Sequence, residues 1–429
     1  RRFHKVHTLK EIYQDDEERN FIDPSLYSRY RVKAGLRNDN GTGVKVGLTK
    51  ICDVIGYKII HEKKYNIDGQ LIYRGYPINY LVNKQPSDKI CGFEETAYLL
   101  IFGTLPNADQ LKTFKDYLLN FKMGPVDLQY ETPNILNALQ IEVLKLYAKD
   151  PSADTDDLEE RMMKGLKILA SIPLFTFSYA RNKVFKSYPY PDRSLAENIL
   201  CMARGNDQYT FEEAKIMDTL LMVHADHGGG NNSTFANVVI SSTGTDIYSC
   251  ISAAIGSLKG PKHGGANCKV TNMFKAIFHE VGFTTDQTTL KKIANRILDK
   301  DFFDHSGLIY GIGHAIYTKS DPRALLIHEQ CEALAKSKGQ EEIYNCIHAF
   351  EKVAIEVMKE RKGIDVCANV DYYSGYVYSL LGIESNLFTP LFAISRTAGW
   401  VSHHLENRQS NRKLIRPANV YVGEMEEIK

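Results

Sequence analysis

The sequence lacks several features that mark whole classes of proteins. Its eight cysteines are scattered and form no C-x-x-C pair, which favours free or buried thiols in a reducing compartment over a disulfide framework or a zinc site. No uninterrupted apolar run approaches the roughly 20 residues that a membrane-spanning helix needs. Acidic and basic residues nearly cancel, at 52 and 53, so charge gives no reason to expect binding to nucleic acid or to an anionic membrane.

Two further signals are missing. Residues 1–20 are basic and then acidic without an apolar segment, so they do not resemble a secretory signal, and we expect a cytoplasmic protein. The sequence also contains no phosphate-binding loop of the form G-x-x-x-x-G-K-[ST]. The composition, with 43% hydrophobic and 24% charged residues, is that of a soluble globular protein.

Strand signals are few and helical signals dominate. A chain of 429 residues is too long for one ordinary core, so two or three domains are expected. Thr210 and Glu213 have the spacing of a capping box, and Asp321-Pro322 reads as an N-cap followed by proline at the first helical position, with that helix ending at Gly339. The other predicted helices cover residues 94–102, 107–121, 134–148, 158–171, 246–258, 269–280, 288–298, 341–362, 372–381 and 388–406.

The alternation of apolar and polar residues that is typical of strands clusters between Val44 and Tyr73, where Asp68-Gly69 suggests a hairpin turn. Polar segments at 149–157 and 182–193 are predicted surface loops. The fold class is therefore mostly α, with a small β element near the N-terminus.

Histidines lie beside glycines in three segments, HADHGGGNNS (224–233), LKGPKHGGAN (258–267) and YGIGHAIY (310–317). Glycine allows the backbone to approach a ligand closely, and histidine exchanges protons near neutral pH. A single such segment is more often a packed turn, but three together favour a functional site.

His224 and His227 are three residues apart, which also fits half of a metal site. Three glycines follow and no further ligand is evident, so we predict no metal. The alternative is a helix end that presents two imidazoles to an anionic ligand.

Arginines and one aspartate complete the candidate set. Arg323, Arg396 and Arg416 could each grip a carboxylate through two parallel hydrogen bonds, although any one of them alone is more often a surface ion pair. Asp371 lies where a loop gives way to a helix; it is either an N-cap or a carboxylate that removes a proton from carbon.

Taken together, these segments resemble the citrate synthase family. The matching motifs, in family order, are HADHGGGNNSTF, GPKHGGAN, GIGHAIYTKSDPRA, NVDYYSGYVYSLLGI, FAISRTAGW and IRPANVYVG, and the upstream stretches DGQLIYRGYPI and ETAYLLIFGTLP are similar to the family's N-terminal region. The resemblance runs from about residue 45 to 423.

The resemblance implies a role for each candidate. Asp371 would remove a methyl proton from acetyl-CoA, while His263 stabilises the resulting enol or enolate. His314 would donate to the keto oxygen of oxaloacetate. The oxaloacetate carboxylates would be held by His227, Arg323 and Arg396, and by Arg416 from the neighbouring subunit of a homodimer. No metal or redox cofactor is implied.

The family fold implies two helical domains. Residues 1–267 and 373–429 would form a large domain with the oxaloacetate site and the dimer interface. Residues 268–372 would form a small domain on the CoA side that closes over the substrates. Lys319, Arg361 and Lys362 are the candidates for contacts to CoA.

Two departures from the family pattern stand out, Ala315 and Gly228, where many relatives have Arg and Glu. Ala315 removes a positive charge beside the cleft, so recognition of the thioester or of inhibitors can differ.

Three alternative functions remain. The first is 2-methylcitrate synthesis from propionyl-CoA, because one methylene is worth only about 1–3 kcal/mol of discrimination. The second is a lyase-type relative that cleaves citryl-CoA. The third is a catalytically inactive helical scaffold.

Overall fold

The computed structural model describes residues 8–15, 20–126, 128, 132–410 and 413–423. The chain divides into two compact units, one formed by Arg1–Val46 with Arg416–Lys429 and the other by Gly47–Ile415. The predicted small domain, 268–372, falls inside the second unit, and its boundaries stay a prediction.

The first unit has little regular structure. Its described part contains two short helices, α1 (Leu9–Asp15) and α2 (Ser25–Arg29), and a 3₁₀ turn at Ala34–Leu36. Arg37 forms an isolated antiparallel bridge with Gly43. The alternating segment 43–48, which begins here, forms no strand.

The second unit carries the remaining helices of the described chain. They are α3 (Ile78–Asn83), α4 (Gly92–Phe102), α5 (Ala108–Leu119), α6 (Ile135–Ala148), α7 (Leu158–Arg181), α8 (Leu195–Arg204), α9 (Phe211–His224), α10 (Asn232–Ser241), α11 (Ile247–Leu258), α12 (Ala266–Val281), α13 (Gln287–Leu298), α14 (Pro322–Ser337), α15 (Glu341–Lys362), α16 (Val370–Leu380) and α17 (Phe388–Gln409).

This content confirms the prediction of a mostly α fold. The capping box at Thr210 and Glu213 forms as predicted, and Asp321 caps α14 with Pro322 at its first position. The predicted loops at 149–157 and 182–193 lie outside the helices. Helices α1, α2, α3, α8 and α10 were not predicted. For α8 a signal was present, because Ser194 and Glu197 form a second capping box.

The small β element near the N-terminus is also confirmed, but its turn is not where the sequence suggested. Strands β1 (Cys52–Ile60), β2 (Lys63–Tyr73) and β3 (Tyr76–Pro77) form one antiparallel sheet in that order. Ile60 pairs with Lys63, so the turn falls at His61 and Glu62, which both have positive φ. The prediction of a turn at Asp68-Gly69 is wrong, since both residues lie within β2.

Helix α17 organises the core of this unit. It packs against α4, α7, α9, α10 and α11, and almost all of its residues from Phe388 to His404 are buried. A helix surrounded in this way can hold a polar side chain in a fixed, dry position. No helix in the described ranges is long and apolar enough to cross a membrane.

Candidate active site

The end of α9 presents His227 but not His224. His224 is buried, and its Nδ1 lies 2.7 Å from the carbonyl oxygen of Leu220, within the same helix. His227 is buried as well, but its Nε2 has no hydrogen-bond partner in the described structure. Burial first, and then the positive charge of Arg323, hold the pKa of His227 well below its usual range. A neutral imidazole with a free nitrogen is therefore available to a ligand.

Asp226 fixes the loop that carries His227. Its Oδ2 accepts a hydrogen bond from the Gly228 N–H at 3.2 Å and lies 3.0 Å from Nε2 of His403 on α17. Gly228 has a φ of +80°, a conformation that favours glycine.

Arg396 extends from α17 into the same region. It is fully buried, and its Nε donates to the carbonyl oxygen of His224 at 2.7 Å. Neither Nη1 nor Nη2 has a partner within the described structure. A buried guanidinium with two unused nitrogens costs free energy unless an anion occupies the space beside it. Burial lowers the pKa of Arg396, although Asp226 opposes that effect.

Arg323 lies in the first turn of α14, where Asp321 holds it on two sides. Arg323 Nε and Nη2 donate to the Asp321 carboxylate at 3.0 and 2.7 Å. Burial opposes the charge of Arg323, but Asp321 raises its pKa overall. The guanidinium carbon of Arg323 lies 5.8 Å from the centre of the Tyr317 ring.

His314 is held by the backbone that follows it. Its Nδ1 accepts hydrogen bonds from the N–H groups of Ile316 and Tyr317, both at 3.1 Å. This assigns the proton to Nε2, so that the ring is neutral and donates from that nitrogen. The His314 ring stacks on Tyr317 at 4.7 Å and lies 5.2 Å from the ring of His227.

His263 occupies a turn before α12. Its Nε2 lies 3.0 Å from Oγ of Ser233 on α10. Burial, assisted by Arg396, lowers the pKa of His263 to about 4. His263 is therefore neutral at physiological pH.

Asp371 is the second residue of α16, so its N-cap is Asn369, whose Oδ1 accepts from the Asp371 N–H at 3.0 Å. Asp371 is not itself the cap. Its side chain is partly exposed, but Oδ1 is buried and has no partner in the described parts of the chain. Burial raises the pKa of Asp371 to about 7, although Arg323 acts in the opposite direction.

A backbone pairing joins the segment before His314 to the segment before Asp371. Ile312 and Ala368 form an antiparallel bridge, and the Gly313 N–H donates to the Cys367 carbonyl oxygen at 2.8 Å. The Asn369 side chain also donates to the Gly313 carbonyl oxygen at 2.8 Å. These bonds join the backbones of two motifs that are far apart in the sequence.

Six of the predicted residues interact across one site: His227, His263, His314, Arg323, Asp371 and Arg396. The charges of Arg323 and Arg396 both lower the pKa values of His227 and Asp371. Arg396 also lowers the pKa of His263. The site therefore combines two buried cations, neutral imidazoles and one carboxylate of high pKa. Such a set can bind a dianion and move a proton beside it.

The remaining predicted residues are all exposed. Arg416 belongs to the terminal unit, and its side chain is exposed. Lys319 and Lys362 are exposed. Arg361 donates to Asn295 on α13 at 3.1 Å and to Asp299, the C-cap of that helix, at 2.8 Å. The roles of all these residues stay predictions.

The residues that hold the site in place were not predicted from the sequence. Ser233 and Asp226 lie inside the recognised HADHGGGNNS segment, but nothing in their spacing distinguishes them from loop residues. Asp321 was interpreted only as an N-cap. No three His, Cys, Asp or Glu side chains among residues 8–15, 20–126, 128, 132–410 and 413–423 are grouped so that they could hold a metal ion.

Comparison with known proteins gives a consistent result. The model of the family "Citrate synthase, C-terminal domain" matches residues 38–418. Citrate synthase of Haloferax volcanii is 37% identical over 386 residues, which cover 86% of this chain and 94% of that protein. The protein named 2-methylcitrate synthase 1 of Corynebacterium glutamicum is 33% identical over 366 residues, covering 82% of this chain and 89% of that protein.

Solved structures agree in fold. Citrate synthase from Thermotoga maritima superposes with a TM-score of 0.71 at 28% identity, covering 90% of this chain and 95% of that one. A ternary complex of the Thermoplasma acidophilum citrate synthase with carboxymethyl coenzyme A and oxaloacetate superposes with a TM-score of 0.73 at 27% identity, covering 93% and 98%.

Proposed function

Because the chain belongs to the citrate synthase family, a family of acyl-transferring enzymes, we propose that it condenses acetyl-CoA with oxaloacetate and water to give citrate and CoA. One observation carries this proposal: buried polar atoms of Arg396, His227 and Asp371 have no partners in the described structure, and all three residues belong to one site. A dicarboxylate bound there would accept hydrogen bonds from Arg396 and His227, and it would leave the Asp371 carboxylate free to take up a proton.

The first step is proton abstraction. Asp371, in its ionised form, removes a proton from the methyl group of acetyl-CoA. Its raised pKa of about 7 suits this task, since a carboxylate with higher proton affinity is a stronger base. His263 donates to the thioester oxygen as negative charge develops there, which stabilises the enol or enolate.

The second step forms the carbon–carbon bond. His314 donates from Nε2 to the keto oxygen of oxaloacetate and makes the keto carbon more electrophilic. The nucleophilic carbon of the enolate attacks that carbon, and the keto oxygen takes the Nε2 proton of His314 to become the hydroxyl of citryl-CoA. Solvent restores the proton of His314, and Asp371 returns the methyl proton to solvent. Water then cleaves the thioester and releases citrate and the CoA thiol.

Arg323, Arg396 and His227 hold oxaloacetate through its carboxylates. The geometric support is their burial together with the free nitrogens of Arg396 and His227. No resident metal or redox cofactor takes part, because every step transfers a proton, forms a carbon–carbon bond or hydrolyses a thioester.

We also propose a dimer with a shared site and a domain that closes over the substrates. The chain forms a homodimer in which Arg416 of one copy binds oxaloacetate in the other, and residues 268–372 form a small domain that closes over the CoA substrate. Lys319, Arg361 and Lys362 are the proposed CoA contacts. The enzyme works in the cytoplasm, without nucleic acid or membrane partners.

A second candidate is 2-methylcitrate synthesis from propionyl-CoA. The resemblance to the protein named 2-methylcitrate synthase 1 supports it, at 33% identity against 37% for the Haloferax volcanii citrate synthase. The difference between the substrates is one methylene, which an apolar pocket distinguishes by about 1–3 kcal/mol.

The test follows the release of free CoA thiol when purified protein is mixed with each thioester, with and without oxaloacetate. Release from acetyl-CoA that requires oxaloacetate is the expected result. Faster release from propionyl-CoA would favour the second candidate. No release from either thioester, by a folded protein, would contradict both and favour a scaffold.

A further inference from the structure

The carboxylate of Asp321 makes more contacts than a helix cap requires. Its Oδ1 accepts from the Arg323 N–H and from Arg323 Nε, both at 3.0 Å. Its Oδ2 accepts from Arg323 Nη2 at 2.7 Å and from the Val370 N–H at 3.1 Å. Asp321 is 1% exposed, so water does not compete for these bonds.

Capping of α14 accounts for only one of the four bonds. The Asp residues that cap other helices accept from the backbone of their own helix: Asp157 from Glu160 on α7, and Asp286 from Thr289 on α13. Asp321 caps in the same way through Oδ1. The bonds made by Oδ2 reach the guanidinium of Arg323 and the first N–H of a different helix, α16.

Val370 is the residue immediately before Asp371. The bond from its N–H therefore fixes the start of the helix that carries the base. The same carboxylate fixes the orientation of Arg323, a proposed ligand of oxaloacetate. One buried side chain thus connects the group that binds one substrate to the group that deprotonates the other.

We propose that Asp321 is a positioning residue of the reaction: it sets the place of Asp371 relative to Arg323 and balances the charge of Arg323 beside the base. This inference rests on the proposed function, since it assumes that Asp371 is the base and Arg323 an oxaloacetate ligand.

The charges around the base agree with this role. Asp371 faces Arg323, Asp321 and Arg396, and it also acts on Cys268 and Tyr378. Asp321 in turn faces Arg323, His314, Tyr317, Cys367 and His224. Burial is the main cause of the raised pKa of Asp371; among the charged groups Arg323 and Arg396 lower that pKa, whereas Asp321 raises it.

The main experiment replaces Asp321 by Asn and measures turnover, the KM for oxaloacetate and the pH profile of kcat/KM for acetyl-CoA. An amide presents a donor where Val370 N–H and Arg323 Nη2 also donate, so we expect the KM for oxaloacetate to rise about tenfold or more. Because the positive charge of Arg323 is no longer balanced, the acid limb should move to lower pH by about one unit. Asp286→Asn, a cap substitution of the same kind, should change neither quantity.

A second pair of variants tests the link to α16 while Asp321 remains. Val370 occupies the first position of α16, where proline is tolerated because its missing N–H is not needed by the helix. Val370→Pro removes the hydrogen bond to Asp321 together with the valine side chain, and Val370→Ala removes the valine side chain but keeps that N–H, so their difference reports the hydrogen bond. We expect kcat of the Pro variant to fall about tenfold below that of the Ala variant, with an unchanged KM for oxaloacetate.

The outcomes separate the possibilities. An unmoved acid limb in Asp321→Asn, or equal kcat in the two Val370 variants, would overturn the positioning role and leave Asp321 as a cap. If Asp321→Asn does not fold, the Val370 pair decides the question alone. Inactivity of the unmodified protein is a different result, because it would overturn the proposed function instead.

Discussion

Buried polar atoms without partners identify this site at the scale of single residues. Folded proteins satisfy nearly all such atoms, since leaving one unpaired costs about 1–3 kcal/mol. Here the unpaired atoms include both terminal nitrogens of Arg396, Nε2 of His227 and Oδ1 of Asp371. Their clustering in one place indicates a polar ligand rather than a defect of packing.

Replacing Asp371 by Asn tests the base directly. The amide has nearly the same shape but cannot accept the methyl proton, so we expect turnover to fall by about 10²–10⁴-fold while oxaloacetate binding is retained. Thiol release measures turnover, and calorimetry measures binding. Asp365→Asn, at an exposed carboxylate paired with Lys359, serves as control and should keep normal turnover. Near-normal turnover in Asp371→Asn would exclude Asp371 as the base.

Replacing Arg396 by Met tests the anion site without relying on turnover. A ligand that binds only the folded state stabilises it by about 2.7 kcal/mol at 100 times its dissociation constant. We therefore expect oxaloacetate to raise the Tm of the unmodified protein and to leave that of Arg396→Met nearly unchanged. Arg296→Met removes a surface arginine paired with Glu280 and Asp301 and should keep the full shift. An equal shift in Arg396→Met would place the carboxylates elsewhere.

At the scale of elements, the hairpin of β1 and β2 supports the segment that carries His314. Two strand glycines allow the approach. A Cβ on Gly56 would lie 2.4 Å from the Ile316 carbonyl oxygen, and one on Gly69 would lie 2.1 Å from that of Ser320. The Gly69 N–H also donates to Ser320 Oγ at 3.1 Å. Gly69 is thus needed for close packing within the strand, which explains why it does not form the turn.

Substitution of Gly69 by Ala should displace residues 314–320 from the hairpin. A methyl group cannot fit beside backbone atoms at these distances, so we expect a loss of about 1–3 kcal/mol in stability. Turnover should fall as well, because His314 moves with the segment. Denaturant unfolding and thiol release measure the two effects. Gly47→Ala, where a Cβ meets nothing within 4 Å, is the control; similar behaviour of both variants would show that the contact is unimportant.

At the scale of the whole molecule, the dimer proposal makes a quantitative prediction. Arg416→Ala and Asp371→Asn should each be nearly inactive alone. If Arg416 acts in the partner's site, a mixed dimer has one site with both groups intact, and random mixing restores roughly a quarter of the sites. If Arg416 acts within its own chain, mixing restores nothing.

The measurement uses equal amounts of the two variants, unfolded and refolded together, with thiol release as the readout. Each variant refolded alone is the control. Activity near a quarter of that of the unmodified protein supports the shared site. Activity no higher than the sum of the controls would contradict it.

Much of the site was predictable because its residues lie in short motifs. His227, His263, His314, Arg323, Asp371 and Arg396 were all identified from the residues around them, and the structure places them in mutual electrostatic contact. Asp226, Ser233 and the second role of Asp321 were not predictable, because each acts through a contact with a distant element. Examples are Asp226 with His403 and Asp321 with Val370.

The helical character of the chain and most of its helices follow from the sequence, since capping residues and apolar periodicity act locally along the chain, and the motifs also supply the candidate residues of the site. Tertiary structure alone decided which buried nitrogens stay unpaired, how far burial shifts the pKa of Asp371 and why Gly69 lies within a strand. These properties depend on which atoms surround a group in three dimensions, and a local pattern of residues does not contain that information.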